Sequence, residues 1–236
     1  MKRFWDTAAL AADGAQWQVL LDGRPMRLPG GGKLAIPHRG LAAALAAEWQ
    51  DAGGAKGGEM TFADVPLTRL AGTAQERIAP DPEPVALELA RYAESDLLCY
   101  RADIPVALAR RQATLWQPWL DWAAQRHAAQ LKVTTGIIHV AQDPIALAAL
   151  ATAVASHDPL GLAGLGVAVP ALGSLVLGLA IADGALEPAA AHDLAMLDEL
   201  FQESQWGHDE DAALRRSRVG ADIAVAGRFL ALVNGR

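Results

Sequence analysis

The sequence predicts an α+β protein, with a small N-terminal β-rich unit over residues 1–65 and a larger, mainly helical domain over 66–236. Three observations predict it. The pair Asp22-Gly23, a hairpin-turn signal, lies between two short strand-like runs. Leu41, Ala44, Leu45, Glu48 and Trp49 then recur at helical spacing. From Pro66 onward, helical runs bounded by prolines dominate, with a single strand candidate among them. At 236 residues the chain is long enough for one large domain or two small ones, each with a core.

In order along the chain, Gln16–Leu21 is strand-like and Arg24–Leu28 returns antiparallel across the Asp22-Gly23 turn. Pro29-Gly30-Gly31-Gly32 makes a second turn, and Lys33–Ile36 is a third strand candidate. Leu41–Gln50 is helical, and Asp51–Gly58 is a glycine-rich loop. Leu67–Ile78 is the next helix, ended by Pro80-Asp81-Pro82-Glu83-Pro84. Val85–Tyr92 follows, and Ile104-Pro105 opens a longer helix reaching about His127. Lys132–Val140 is β-like and is expected to pair back onto the first unit. Asp143-Pro144 starts a helix to about Ser156, Glu187-Pro188 starts one to about Gln205, and the last runs from about Asp209 to Val233.

Composition excludes several classes. Hydrophobic residues make up 52% and charged residues 20%, so the chain buries enough to escape disorder. A net charge of −7 argues against a nucleic-acid or anionic-membrane binder, since both need a basic face. The lone cysteine, Cys99, excludes an internal disulfide framework and a thiolate zinc cluster. Sixteen arginines against four lysines fit a GC-rich coding sequence and a bacterial source. Met1-Lys2-Arg3 is followed by no secretory apolar run and no presequence, so a cytoplasmic location is expected. Pro159–Ala182 carries no charge over 24 residues, long enough to span a bilayer. Its five glycines and Pro170 disfavour one spanning helix, and Asp158 and Asp183 flank it. It reads as a loop followed by a buried helix from about Ala171, with no membrane insertion.

Little in the sequence points to catalysis. Gly30-Gly31-Gly32-Lys33 lacks the spacing and the Ser or Thr of a phosphate loop and lies in a strand turn. Cys99 sits in the apolar run Leu97-Leu98-Cys99-Tyr100, unlike a reactive thiol. The six histidines show no metal-ligand spacing. No catalytic, cofactor-binding or metal-binding residue is therefore expected. Trp116, Trp119 and Trp122 cover a broad face of one helix, and core packing explains them better than an interface. Seven tryptophans beside two tyrosines and four phenylalanines still lean toward the side chain enriched at protein interfaces.

Leu194–Gly207, LAMLDELFQESQWG, is the most informative stretch. With Leu194 at zero on a helical wheel, Asp198, Gln202 and Trp206 fall at about 40°, 80° and 120°. They form an i, i+4, i+8 stripe beside the apolar face of Leu194, Leu197 and Phe201, and Glu199 extends it. A carboxylate in that place either serves a neighbouring backbone or arginine within the domain, or meets a partner. Arg215, Arg216 and Arg218 are near enough in sequence for the first option.

An ordered set of blocks resembles one family, the chaperones that assemble the catalytic head of the F-type ATP synthase by acting on its α subunit. The blocks are VLLDGRPMRLP, LAAALAAEWQ, VPLTRLAGTAQERI, YAESDLLCYRA, RQATLWQPWLDWA, LGSLVLGLAIADGAL and LDELFQESQWG with DEDAALRR after it. Together they span about residue 4 to residue 232. The resemblance implies a non-enzymatic holding chaperone that binds the unassembled α subunit and prevents its aggregation until the β subunit displaces it. It also implies an alphaproteobacterial, cytoplasmic protein with mitochondrial-matrix relatives, monomeric when free and without a cofactor. The family's functional acidic residue, often Glu in mitochondrial members, falls on Asp198, one methylene shorter. Asp198, Glu199, Gln202 and Trp206 are thus the expected partner-binding residues. The rival expectation is a general protein-binding module whose partner lies outside the ATP synthase.

Overall fold

Three strands open the chain: β1 (Ala8–Asp13), β2 (Gln16–Leu21) and β3 (Arg24–Pro25), antiparallel in the order β1-β2-β3. The computed structural model describes all of residues 1–236. Asp22 and Gly23 take φ of 47° and 78°, the left-handed pair that a two-residue hairpin turn needs. The Asp22 carboxylate also accepts the backbone N–H groups of Asp6 and Thr7, which anchors the entry to β1. Strand β1 is absent from the sequence-based expectation because it is alanine-rich and lacks β-branched residues. It forms by pairing in register with β2, from Ala8 opposite Leu21 to Asp13 opposite Gln16. Lys33–Ile36, expected as a strand, reduces to single bridges of Lys33 to Arg27 and Ile36 to Trp17.

Helix α1 (Arg39–Asp51) buries Leu41, Ala42, Leu45, Ala46 and Trp49. Its polar edge is used too: Glu48 accepts the N–H groups of Leu67 and Thr68 at 2.7 and 2.9 Å. That carboxylate therefore caps α2 (Pro66–Thr73), whose own capping residue offers no side-chain bond. A wider π-type turn, Ala74–Ile78, completes the run expected as one helix.

The remaining elements are α3 (Glu83–Ala90), β4 (Tyr100–Arg101), α4 (Val106–His127), β5 (Thr134–Thr135), α5 (Pro144–Ala155), α6 (Pro159–Leu172), α7 (Leu175–Asp183), α8 (Pro188–Ala195), α9 (Leu197–Trp206) and α10 (Glu210–Val233). Met1–Pro82, Pro159–Gly164 and Arg228–Arg236 form one compact unit, and Glu83–Asp158 with Leu165–Gly227 form a second.

Three expectations for the helical part are corrected. Pro159–Ala182 is not a loop and a helix but two helices, α6 and α7, separated at Gly173. Two of its glycines serve close packing: a Cβ on Gly178 would lie 2.5 Å from Val169 Cγ2, and one on Gly164 would lie 2.7 Å from Leu230 Cγ. The α6–α7 corner is fixed by the fully buried Asp96, which accepts the Ser174 hydroxyl at 2.8 Å and the Val176 N–H at 3.0 Å. Next, Lys132–Val140 supplies only β5, which pairs in parallel with β4, not with the N-terminal sheet. Ile137 and Ile138, which made the run look like a half-buried strand, are 98% and 78% exposed. Last, the helix expected from Glu187 to about Gln205 breaks at Met196 (φ −92°, ψ 10°) into α8 and α9. No helix is long and apolar enough to cross a membrane.

Candidate functional site

A buried contact marks the break between α8 and α9. The indole N–H of Trp116, fully buried on α4, donates to the Leu194 carbonyl at 2.9 Å. In a continuous helix that carbonyl would face the N–H of Asp198. Helix α9 restarts beyond Met196, whose carbonyl accepts the Leu200 N–H. Asp198 thereby falls in a helical first turn, where a carboxylate complements the dipole. At the other end Gly207 (φ 99°) stops α9 with a backbone that side-chain-bearing residues rarely adopt.

Within α9 the stripe Asp198, Gln202, Trp206 holds at i, i+4, i+8, but its members live in different surroundings. Asp198 is half-buried against α4, and its Oδ1 accepts from Gln112 Nε2 at 2.8 Å. Gln112, 1% exposed, has its own Oε1 held by the Ala102 N–H at 2.7 Å, and its carbonyl accepts from Arg101 Nη1 at 2.5 Å. The Arg101 guanidinium stands 5.3 Å from the Trp116 ring centroid, with Nε and Nη2 buried and without a hydrogen-bond partner. Burial pulls its pKa below the ordinary guanidinium range, against a smaller opposing influence of Cys99.

Glu199 turns the other way. Arg215 Nη2 binds it at 2.9 Å and Arg216 Nη1 stands 3.7 Å away. Glu203, one turn on, pairs with Arg216 and contacts His208, so polar contacts tie α9 to its terminal loop and to α10. The Arg216 carbonyl is in contact with His192 Nε2 of α8 at 3.0 Å. Beside this network lies an open cleft of about 520 Å³, lined by Glu199, Gln202, Glu203, Trp206, His208 and Arg215 among others. Trp206 is 80% exposed, the largest apolar side chain left open on this helix.

The structure therefore places Glu199, Gln202 and Trp206 on one cleft and sets Asp198 next to it, bound to α4. Sequence reasoning missed Gln112 and Arg101, because nothing in their local pattern announces a partner 86 residues away. It also missed Glu203 and His208 as members of the cleft, whereas Arg215 and Arg216, near enough in sequence to serve a carboxylate of this stretch, do so at Glu199. Trp49 and Trp116 are core residues as expected, at 7% and 0% exposure, while Trp119 and Trp122 are half-buried.

Comparison with known proteins gives a consistent result. A family profile described as ATP12 chaperone protein matches residues 2–124. The crystal structure of Atp12 from Paracoccus denitrificans shares 42% identity, over 98% of this chain and 98% of that one, with a TM-score of 0.92. An aspartate-to-lysine mutant of the Paracoccus protein superposes equally well, over 98% and 97% of the two chains at 42% identity and TM-score 0.92. The Atu1473 protein of Agrobacterium tumefaciens follows at 36% identity, over 99% of this chain and 85% of that one, with a TM-score of 0.90. Sequence blocks, N-terminal sheet, helical remainder and these likenesses agree: the chain belongs to the ATP12 chaperone family, the ATP synthase assembly chaperones that its motifs resemble.

Proposed function

We propose that this chain is a non-enzymatic holding chaperone that binds the unassembled α subunit of the F-type ATP synthase catalytic head in the bacterial cytoplasm. The observation that carries the proposal is the open stripe on α9, with a half-buried carboxylate at one end and an 80% exposed tryptophan at the other. A tryptophan left in water is a typical anchor for a partner surface. The polar groups beside it, Asp198, Gln202 and Glu199, supply orientation and selectivity more than affinity. An unassembled α subunit exposes apolar surface meant for its neighbours and tends to aggregate. Reversible cover lowers the free concentration of that sticky state, and a β subunit forming a larger interface displaces the chaperone. The chaperone is monomeric when free and needs no nucleotide for this cycle.

The test mixes the chain with the α subunit of the same organism's ATP synthase, following aggregation by light scattering and complex formation by gel filtration. A soluble complex that dissolves on addition of β subunit is the expected outcome. Failure to form a complex or to suppress aggregation overturns the proposal. Asp198→Lys is expected to abolish binding with the circular dichroism spectrum unchanged. Asp198→Asn keeps an oxygen acceptor for Gln112 but turns the second carboxylate oxygen into an NH₂ donor, so it is expected to weaken binding through loss of both the charge and that acceptor.

A further inference from the structure

We infer that Gln112 is the positioning residue of the partner-binding carboxylate: it fixes one oxygen of Asp198 so that the other is presented to the α subunit. This inference rests on the function proposed above and deepens it. Gln112 is 1% exposed, and a buried amide must place both its oxygen and its nitrogen. Its Oε1 is taken by the Ala102 N–H at 2.7 Å, which leaves Nε2 only one way to point. It points at Asp198 Oδ1, 2.8 Å away. Arg101 Nη1 holds the Gln112 main chain from behind at 2.5 Å, and its guanidinium rests over Trp116. A donor locked in this way demands an acceptor at position 198. A lysine there would set an ammonium against the Gln112 NH₂ group, with the Arg101 guanidinium at the far end of the same chain of bonds.

Asp198 itself is half-buried, and its Oδ2 takes no hydrogen bond from Gln112. A carboxylate on a short side chain, pinned through one oxygen, loses little rotamer freedom when a partner donor arrives at the other. Glu199, the adjacent acid, is already bound by Arg215 and Arg216 inside the chain. Position 198 is thus the acid that is both fixed and available.

The experiment measures the affinity of wild type, Gln112→Leu, Asp198→Ala and the double variant for purified α subunit. Gln112→Leu is expected to weaken binding roughly tenfold, within the range of coupled contact pairs, and to add no further loss once Asp198 is Ala. Equal losses in both backgrounds, or unchanged binding by Gln112→Leu, overturn the inference. Gln112→Glu supplies a readout that a packing role would not move. It keeps the acceptor for Ala102 but sets two carboxyl groups together, so its affinity relative to wild type is expected to recover as pH falls and one proton is shared. A flat ratio overturns the inference even where Gln112→Leu fails to fold. Should wild type itself bind no α subunit, the proposed function fails. The pairing is then read separately from the Gln112 side-chain amide resonance, which should shift on Asp198→Ala.

Discussion

At the scale of single residues, neighbours in sequence part company according to what surrounds them. Cys99 is fully buried beside β4, and burial, helped by the nearby Asp96 charge, pushes its thiol up to about 12. The thiolate is the reactive species, so at pH 8 iodoacetamide is expected to leave native Cys99 unmodified and to label it fully in urea. Labelling of the native protein at the rate of a free thiol would show that this part of the chain opens readily. That outcome was legible in the sequence, because the run Leu97–Tyr100 is apolar and distant in sequence from any histidine. Asp198 and Glu199 were not separable in the same way. A helical wheel sets Asp198 beside the apolar face and Glu199 at the far end of the same polar stripe, but it does not show that one meets Gln112 and the other two arginines. The stripe could be drawn from spacing alone, whereas the donor that selects between its acids belongs to another helix.

At the scale of elements, the prolines made helix starts readable. Pro66, Pro144 and Pro188 each stand in a first helical turn, where the missing N–H costs nothing. Helix ends were harder, since the contact that marks the α8–α9 break comes from an indole 78 residues away. Glycines misled in the same fashion. Counted as helix breakers they argued for a loop before Ala171, but in the structure all lie in or between helices, and two of them, Gly164 and Gly178, leave no room for a Cβ. Gly227 on α10 shows the balance of terms: a Cβ there would lie 2.2 Å from Pro188 Cγ at the start of α8. Alanine gains about 1 kcal/mol of helix propensity over glycine. Forcing a methyl against a rigid ring costs about 1–3 kcal/mol, occasionally more. Gly227→Ala is therefore expected to lower stability in urea unfolding, whereas Gly166→Ala on α6, with open space at its Cβ, should raise it by up to about 1 kcal/mol. Equal effects at the two sites would mean that the Pro188 contact yields freely.

At the scale of the whole molecule, local pattern had least to offer. The first compact unit takes residues from three separate stretches of chain, and no periodicity in α6 or α10 marks where Pro159–Gly164 and Arg228–Arg236 are drawn off to it. Response to pH is likewise a property of the assembled chain, because its buried ionisable groups pull in opposite directions. In the second unit, burial lowers the pKa of His157 and of His127, whose Nε2 is buried without a hydrogen-bond partner. Asp183 opposes the shift at both; Asp158 also opposes it at His157, while Arg126 and His157 reinforce it at His127. Just below pH 6.5 the unfolded chain then binds protons that the native one refuses. Stability is full above that pH and falls as pH drops toward the native values. Glu48 and Asp96 act with the reverse sign. Burial raises both, so their contribution is present at acid pH and is lost as pH rises through their native values. The net curve mixes these contributions, and a difference measurement separates them. The urea midpoint of wild type minus that of a His127→Gln, His157→Gln double variant is expected to decrease as pH falls from 7 to 5. A difference independent of pH would mean that neither histidine feels its burial in the native protein.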